Sequence, residues 1–428
     1  MAVPFRFIHA ADLHLDSPFK GLAKAPEALR ERLTESTFAA MRQLTDTAVA
    51  EKVDFIVLAG DLFDATDRSL RAQLRLVREW ERLAAHGIAV FVIHGNHDPL
   101  SGARAELKLP SNVHIFGADH IEHKPAYRRD GELAAFVYGI SYGSRSVTEN
   151  LAIRYRSMPG AGFHIAMLHG NVGGDNGHDP YAPCSLDELA SNAGFHYWAL
   201  GHIHHRKVLH EYPHVVYPGN TQGRNPRETG QKGCYLVDVT AAGAVELRFT
   251  PLDDVRWLDE QVSIAGIQSE HELLQQLEAT MTRLGLDAEG RSAMIRLELT
   301  GRGPIHRQIS EPQAITALLG QLQELSEESG DRMIWVYELD NMTASELDWT
   351  KIAEEDSFAG ELCRLSTELA SSDESWRSFA KDAVQVMAGN QKLAKLLRSK
   401  WEELPERWLE RSREHVIGLI AEEERGNG

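Results

Sequence analysis

Five short polar segments, each directly after an apolar run, constrain this chain more than any other feature. They are Asp12-Leu13-His14, Gly60-Asp61-Leu62-Phe63-Asp64, Gly95-Asn96-His97-Asp98, Leu168-His169-Gly170 and Gly201-His202-Ile203-His204. The preceding runs Phe5–His9, Asp54–Ala59, Ala89–Ile93, Phe163–His169 and His196–Leu200 have the length and composition of buried strands. In α/β folds ligands gather outside the carboxyl ends of strands, so segments in this position can converge. Asp12/His14 and His202/His204 are two residues apart, which in an extended segment points both side chains of a pair to one side of a cleft. The adjacent Gly60, Gly95, Gly170 and Gly201 permit tight turns and close approach of backbone to a metal or phosphate.

The donor types narrow the chemistry. Imidazole, carboxylate and amide oxygen without thiolate favour Mn²⁺, Fe²⁺ or Zn²⁺ over a structural zinc of the thiolate type. Seven candidate ligands exceed the coordination of one ion and suit two divalent ions that share a carboxylate. Such ions, roughly 3.5–4 Å apart, can bind a phosphate, create a hydroxide nucleophile and neutralise a departing oxygen. Each segment alone has a plainer reading. Asp-x-His can be a surface pair, Gly-Asp-Leu-Phe-Asp a strand ending in a turn, and Gly-His-Ile-His a solvated loop. Five of them in order, each after a strand, are not explained that way.

Around these segments the chain reads as α/β. Glu27–Lys52 and Arg68–Ala85 are predicted helices, the second with Leu70, Leu74 and Val77 at core spacing. Val113–Phe116, Leu133–Gly139, Val208–His210, Val215–Tyr217, Cys234–Val239 and Val245–Phe249 extend the strand set. Helical crossovers first and hairpins later predict a mixed sheet system covered by helices. After Pro251, Trp257–Ile264, Glu270–Leu284, Ala293–Thr300, Gln313–Leu325 and Met333–Leu339 predict a compact βαβαβ unit. From about Ser345 the chain is helical and acidic. Apolar stripes run along Leu362, Leu365 and Leu369, along Leu393, Leu396, Leu397 and Trp401, and along Trp408, Val416 and Ile420. The expected domains are therefore 1–250, 251–345 and 346–428.

The net charge of −18 argues against a nucleic-acid partner until it is divided along the chain. Residues 1–250 hold 26 Lys+Arg against 28 Asp+Glu, and the remainder 19 against 35, so the acidity lies in the C-terminal part. No apolar run approaches the roughly eighteen residues of a membrane span. The N-terminus lacks signal-peptide character. Cys184, Cys234 and Cys363 are too few and scattered for a disulfide framework, so a cytoplasmic location and no membrane association are expected.

In order, the five segments match the signature of the calcineurin-like metallophosphoesterase superfamily, and the chain resembles its DNA-repair branch, the SbcD-type nucleases and especially bacterial YhaO-like exonucleases. Ala11-Asp12-Leu13-His14-Leu15-Asp16-Ser17-Pro18-Phe19, Gly177–Pro183, Tyr217–Arg224 and Arg296–Arg302 carry the closer likeness. The resemblance implies a metallophosphoesterase β-sandwich flanked by helices, a capping domain that shapes the DNA entrance, and a helical C-terminal region for docking a partner. It implies Asp12, His14, Asp61 and His204 around one metal, and Asp61, Asn96, His169 and His202 around the other, with Asp61 bridging and Mn²⁺ the first choice. It further implies that the non-ligand His97 contacts the scissile phosphate, a role suited to a group titrating near neutrality. Asp98 either orients His97 or closes its own turn. Some relatives carry a histidine at the position of Asp64, so a second catalytic histidine there is not carried over.

The resemblance implies a metal-dependent DNA exonuclease or endonuclease working with an SMC-like coiled-coil ATPase; the chain has no P-loop of its own, so any ATP-driven step must come from another chain. A second copy of the chain is the other candidate partner. The alternatives are a phosphodiesterase for a cyclic nucleotide or small ester, and a binding module with a decayed metal site. Arg68, Arg71, Arg75 and Arg78 form a stripe that reads either as a DNA-backbone contact or as a solvated face balanced by Asp67, Glu79 and Glu81. Arg224 and Arg227 follow a turn expected to border the metals and are candidate DNA contacts. His9, His86, His114, His120 and His164 lack paired spacing and read as satisfied strand or loop residues.

Overall fold

The computed structural model describes residues 3–17, 19, 25–64, 69–102, 105, 107–159, 162–174, 181–327, 333–346 and 349–385, with 412, 416, 417 and 420. Two six-stranded mixed sheets dominate. The first holds β1 (Phe5–Ala10), β2 (Phe55–Ala59), β3 (Ala89–Ile93), β4 (Val113–Ile115), β11 (Gly233–Val239) and β12 (Val245–Pro251), in the order β12-β11-β1-β2-β3-β4. Strands β1 to β4 run parallel, with Phe7 opposite Phe55 and Phe55 opposite Ala89; β11 returns antiparallel to β1. The second holds β5 (Glu122–Tyr127), β6 (Leu133–Gly139), β7 (Phe163–His169), β8 (Tyr197–Gly201), β9 (Lys207–Glu211) and β10 (His214–Tyr217), in the order β5-β6-β7-β8-β10-β9. Here β6, β7, β8 and β10 are parallel, with antiparallel β5 and β9 at the edges.

Strand alternation builds the layers. Phe7, Phe55, Val57, Phe91 and Ile93 meet Val137, Ile165, Met167 and Tyr197 in one buried cluster between the sheets. The intervening Ile8, Ile56, Leu58, Val90 and Val92 face helices α1 (Glu27–Ala50) and α2 (Leu70–Ala85). Such period-two runs with both faces apolar are those of a sheet covered on both sides. The expected mixed α/β sandwich is thus observed. Strand β5 escaped the sequence reading because Glu-His-Lys-Pro-Ala-Tyr carries edge-strand polarity.

Two apolar stripes need correction. Leu70 and Leu74 are exposed; the buried face of α2 is Ala72, Gln73, Leu76, Trp80 and Leu83. The large Trp80 and Leu83 set the inward direction, and the aliphatic residues at the helix start follow the other side. Leu365, on the helix Phe358–Ala370, is likewise exposed, while Cys363 is buried on that helix. Leu393, Leu396, Leu397, Trp401 and Trp408 lie outside the described residues.

The chain divides into two compact units. One comprises Met1–Asp259, Met281–Arg296 and Gln323–Tyr337, the other Glu260–Thr280, Leu297–Leu322 and Glu338–Gly428. A third sheet has the order β13 (Val255–Ser263), β14 (Ser292–Thr300), β15 (Ile334–Asn341), with the helices Glu270–Asp287 and Pro312–Glu327 in its connections. Within the first unit Leu29 and Leu33 of α1 pack with Val255, Trp257, Met294 and Trp335. Among the described residues no helix is long and apolar enough to cross a membrane.

Candidate metal centre

All five polar segments lie at the carboxyl ends of β1, β2, β3, β7 and β8, and two of those strands belong to the second sheet. The loops after β1 and β2 continue to bond each other: Asp12 N donates to Gly60 O (3.1 Å), His14 N to Asp61 O (3.1 Å) and Leu15 N to Leu62 O (2.9 Å). The expected extended Asp-x-His is not what forms. Asp12, His14, Asp61 and His202 have φ of 53°, 42°, 51° and 98°. Left-handed backbone at such residues costs on the order of 1 kcal/mol each and is retained where the surrounding structure holds it. His202 and His204 stand beside different donor groups: the His202 ring lies 5.3 Å from that of His169, and the His204 ring 5.0 Å from that of His14.

Two groups of donors result, buried except for the part-exposed His204. Asp12, His14 and His204 place ligand atoms within 4.8 Å of one another, as do Asp12, Asp61 and His169. His14 Nε2 and His204 Nε2 are 3.1 Å apart. Asp61 Oδ2 stands between the groups, 3.8 Å from His14 Nε2 and 3.3 Å from His169 Nε2. Asn96 Oδ1 is 3.0 Å from His169 Nε2. Gly95 makes room for this crowding, since a Cβ there would lie 2.3 Å from Asp61 Oδ1 and 2.6 Å from His169 Nε2.

Proton bookkeeping at His169 shows that the donor set fits divalent cations. Its Nδ1 donates to the Ala59 carbonyl (2.9 Å), so in a neutral ring the Nε2 lone pair faces the oxygens of Asn96 and Asp61. Acceptors converging on one point need a cation or an extra proton. Burial opposes protonation of His169, yet Asp61 and Asp12 outweigh it and push the ring up to about 9. Burial would raise the Asp61 carboxyl, but His169, His14 and His97 hold it well below the usual carboxylate range. Burial and the Arg224 charge push His14 down to about 3, leaving a neutral imidazole. Buried imidazoles and carboxylates without sulfur are the donors of a Mn²⁺, Fe²⁺ or Zn²⁺ site.

His97 differs from these residues in being about one-third exposed. Its backbone N–H donates to Asp61 Oδ1 (2.9 Å), its Nδ1 donates to the Asp64 carbonyl (3.0 Å), and its ring stands edge-on to His14. Asp98 does not orient it. The Asp98 carboxylate accepts from Leu62 N (3.0 Å), Gly95 N (2.9 Å) and His94 Nδ1 (2.9 Å), closing its own turn and tying it to the loop after β2. Asp64 holds His97 through its carbonyl, while its carboxylate lies 3.1 Å from His14 Nδ1.

The arginines also depart from expectation. Arg224 is mostly buried and donates to Asp64 Oδ1 (2.5 Å) and Ser17 Oγ (3.1 Å), so it braces the centre from within. Arg71 and Arg75 pair with Glu35 and lie over the Phe38 ring, which offsets part of the stripe's charge. Arg227 is exposed. Arg68 and His178 lie outside the described residues. Sequence reasoning missed Glu228, whose Oε1 is 2.7 Å from His204 Nδ1. Burial alone would raise its carboxyl, but His204 and Arg224 hold it well below the usual range. No fixed spacing links Glu228 to the five segments, so nothing local marked it.

A family model described as calcineurin-like phosphoesterase matches residues 5–206, and one described as metallophosphoesterase YhaO, middle domain, matches residues 257–344. The chain is 45% identical over 363 residues to the uncharacterized metallophosphoesterase YhaO of Bacillus subtilis, covering 85% of this chain and 87% of that one. It is 31% identical over 208 residues to the DNA double-strand break repair protein Mre11 of Sulfurisphaera tokodaii, about half of each chain (48% and 50%). With the protein of that name from Methanopyrus kandleri it shares 26% identity over 294 residues, covering 63% and 61%. The ordered strand-end segments, the buried donor groups they form and the extent of these matches lead to one conclusion: the chain belongs to the calcineurin-like metallophosphoesterases, in the group of YhaO, with Mre11 proteins among its relatives.

Proposed function

We propose that this metallophosphoesterase is a nuclease that hydrolyses DNA phosphodiesters with two divalent cations, Mn²⁺ foremost. One is held by Asp12, His14, Asp61 and His204, the other by Asp61, Asn96, His169 and His202. The observation that carries the reading is the position of Asp61 Oδ2 between His14 Nε2 and His169 Nε2, where one carboxylate can serve both donor groups. Cations there supply positive charge to a phosphate and acidify water. The residues of the chain do the rest. His97, the accessible histidine of the set, presents Nε2 to the scissile phosphate because Nδ1 is engaged by Asp64 O. When it carries a proton, that Nε2 can donate to a leaving oxygen. Arg224, braced by Asp64 and Ser17, holds the segment that carries Glu228.

Choosing DNA over a small ester rests on the likeness to proteins named for DNA double-strand break repair. An SMC-like ATPase as partner, and a docking role for the helical region after residue 345, are proposed on the resemblance to SbcD-type nucleases. The purified chain with Mn²⁺ should degrade linear DNA when offered duplex, single-stranded and circular DNA beside bis-p-nitrophenyl phosphate. His97→Ala should retain metal and lose activity by about 10²-fold or more. Cleavage of the small ester alone would reject the DNA assignment.

A further inference from the structure

Glu228 holds a position whose geometry has one consistent proton arrangement. It is 6% exposed. Its carboxylate collects three donors: His204 Nδ1 on Oε1 (2.7 Å), and Arg224 N (2.7 Å) and Asn220 Nδ2 (2.9 Å) on Oε2. An ionised carboxylate only accepts, so His204 must carry its hydrogen on Nδ1 and turn the Nε2 lone pair inward. That Nε2 is the atom 3.1 Å from His14 Nε2.

The turn before Glu228 is built around the same histidine. Gly219, at φ 77°, passes so close to the chain that a Cβ would lie 2.8 Å from His204 O. Lys232 Nζ donates to that carbonyl at 3.3 Å. The segment 219–232 therefore holds His204 by its ring and by its backbone. His169, in the other donor group, has a neutral carbonyl, Ala59 O, in the equivalent place. Of these two rings, His204 is the one backed by a full negative charge.

We infer that Glu228 is a positioning residue for His204, fixing its tautomer and strengthening it as a ligand, so that the Asp12/His14/His204 site depends on Glu228 for cation affinity and the His169 site does not. The inference rests on the ligand assignment proposed above. A carboxylate behind a metal-binding histidine orients the ring and raises its basicity, and loss of such a partner typically weakens binding about 10- to 100-fold.

The test is Mn²⁺ titration of the full chain by calorimetry, comparing wild type with Glu228→Gln and Glu228→Ala. Ring ¹⁵N spectra of the metal-free proteins are read alongside. Two ions should bind the wild type. Each variant should lose about 10- to 100-fold in affinity at one site and keep the other within about twofold. Glu228→Ala should also release His204 from the Nδ1–H form; should it not fold, Glu228→Gln decides alone. A purely structural role would lower the melting temperature and leave both affinities intact, which overturns the inference. A wild-type chain that takes up no Mn²⁺ overturns the metal-centre reading, and the inference with it.

Discussion

A neutral imidazole has one proton to place, and in this protein the neighbours of each histidine decide where. At His169 a carbonyl takes the Nδ1 hydrogen and at His204 a carboxylate does, so both turn Nε2 toward the centre. At His9 both nitrogens are used up: Tyr197 OH donates to Nδ1 (3.0 Å) and Nε2 donates to Leu200 O (3.0 Å). That ring is structural, and its burial pushes it down from 6.5 to about 3. Between those values the unfolded chain binds a proton at His9 that the folded chain refuses. The unfolded state then holds more protons, so stability rises with pH across the window and falls as pH drops below about 6.5. His9→Gln, which can still donate and accept, should lose less stability than wild type between pH 7 and 5 in urea melts. An equal loss would mean that His9 does not titrate this way.

At the scale of elements, the site depends on two sheets whose strand ends come together. Gly201 closes β8 and Ala59 closes β2, in different sheets, and a Cβ on Gly201 would lie 2.0 Å from Ala59 O. A backbone oxygen cannot step aside as a side chain can, so Gly201→Ala must push the sheets apart where they carry the ligands. Overpacking of this kind costs about 1–3 kcal/mol. We expect a lower urea midpoint together with weakened Mn²⁺ binding; a variant with an unchanged midpoint would show that the ends tolerate separation. The position of α2 illustrates the same dependence on neighbours. Val77 packs against the core as its spacing predicts, but Leu70 and Leu74 do not, because aliphatic residues at helical spacing do not by themselves say which side the sheet takes.

For the whole molecule, the relevant balance is of charge. A centre that buries Asp12 and Asp61 beside imidazoles gathers negative charge that protons or cations offset, and the same carboxylates push His169 up to about 9. Cations that bind the folded state alone add stability by mass action, about 2.7 kcal/mol per site at a hundredfold excess over the dissociation constant. Calorimetry should therefore show a transition that moves up with Mn²⁺ and down with chelator. Asp61→Ala should abolish the difference between the two conditions. A shift that persists in Asp61→Ala would place the responsible cation elsewhere.

The amino-acid sequence by itself determined the apolar strands, through runs such as Ala89–Ile93 and Leu133–Gly139 whose composition admits little else, and the five segments that follow strands. Those properties are local, because periodicity and residue type are written in neighbouring positions. Tertiary structure alone decided the left-handed turns at Asp12 and His202, the transfer of His97 from Asp98 to Asp64, the burial of Arg224 and the pairing of His204 with Glu228. Each of these joins groups by hydrogen bonds or charge across distances that no spacing encodes. A side chain's partner in a buried centre is set by which strand ends meet, and that is a property of the packed sheets.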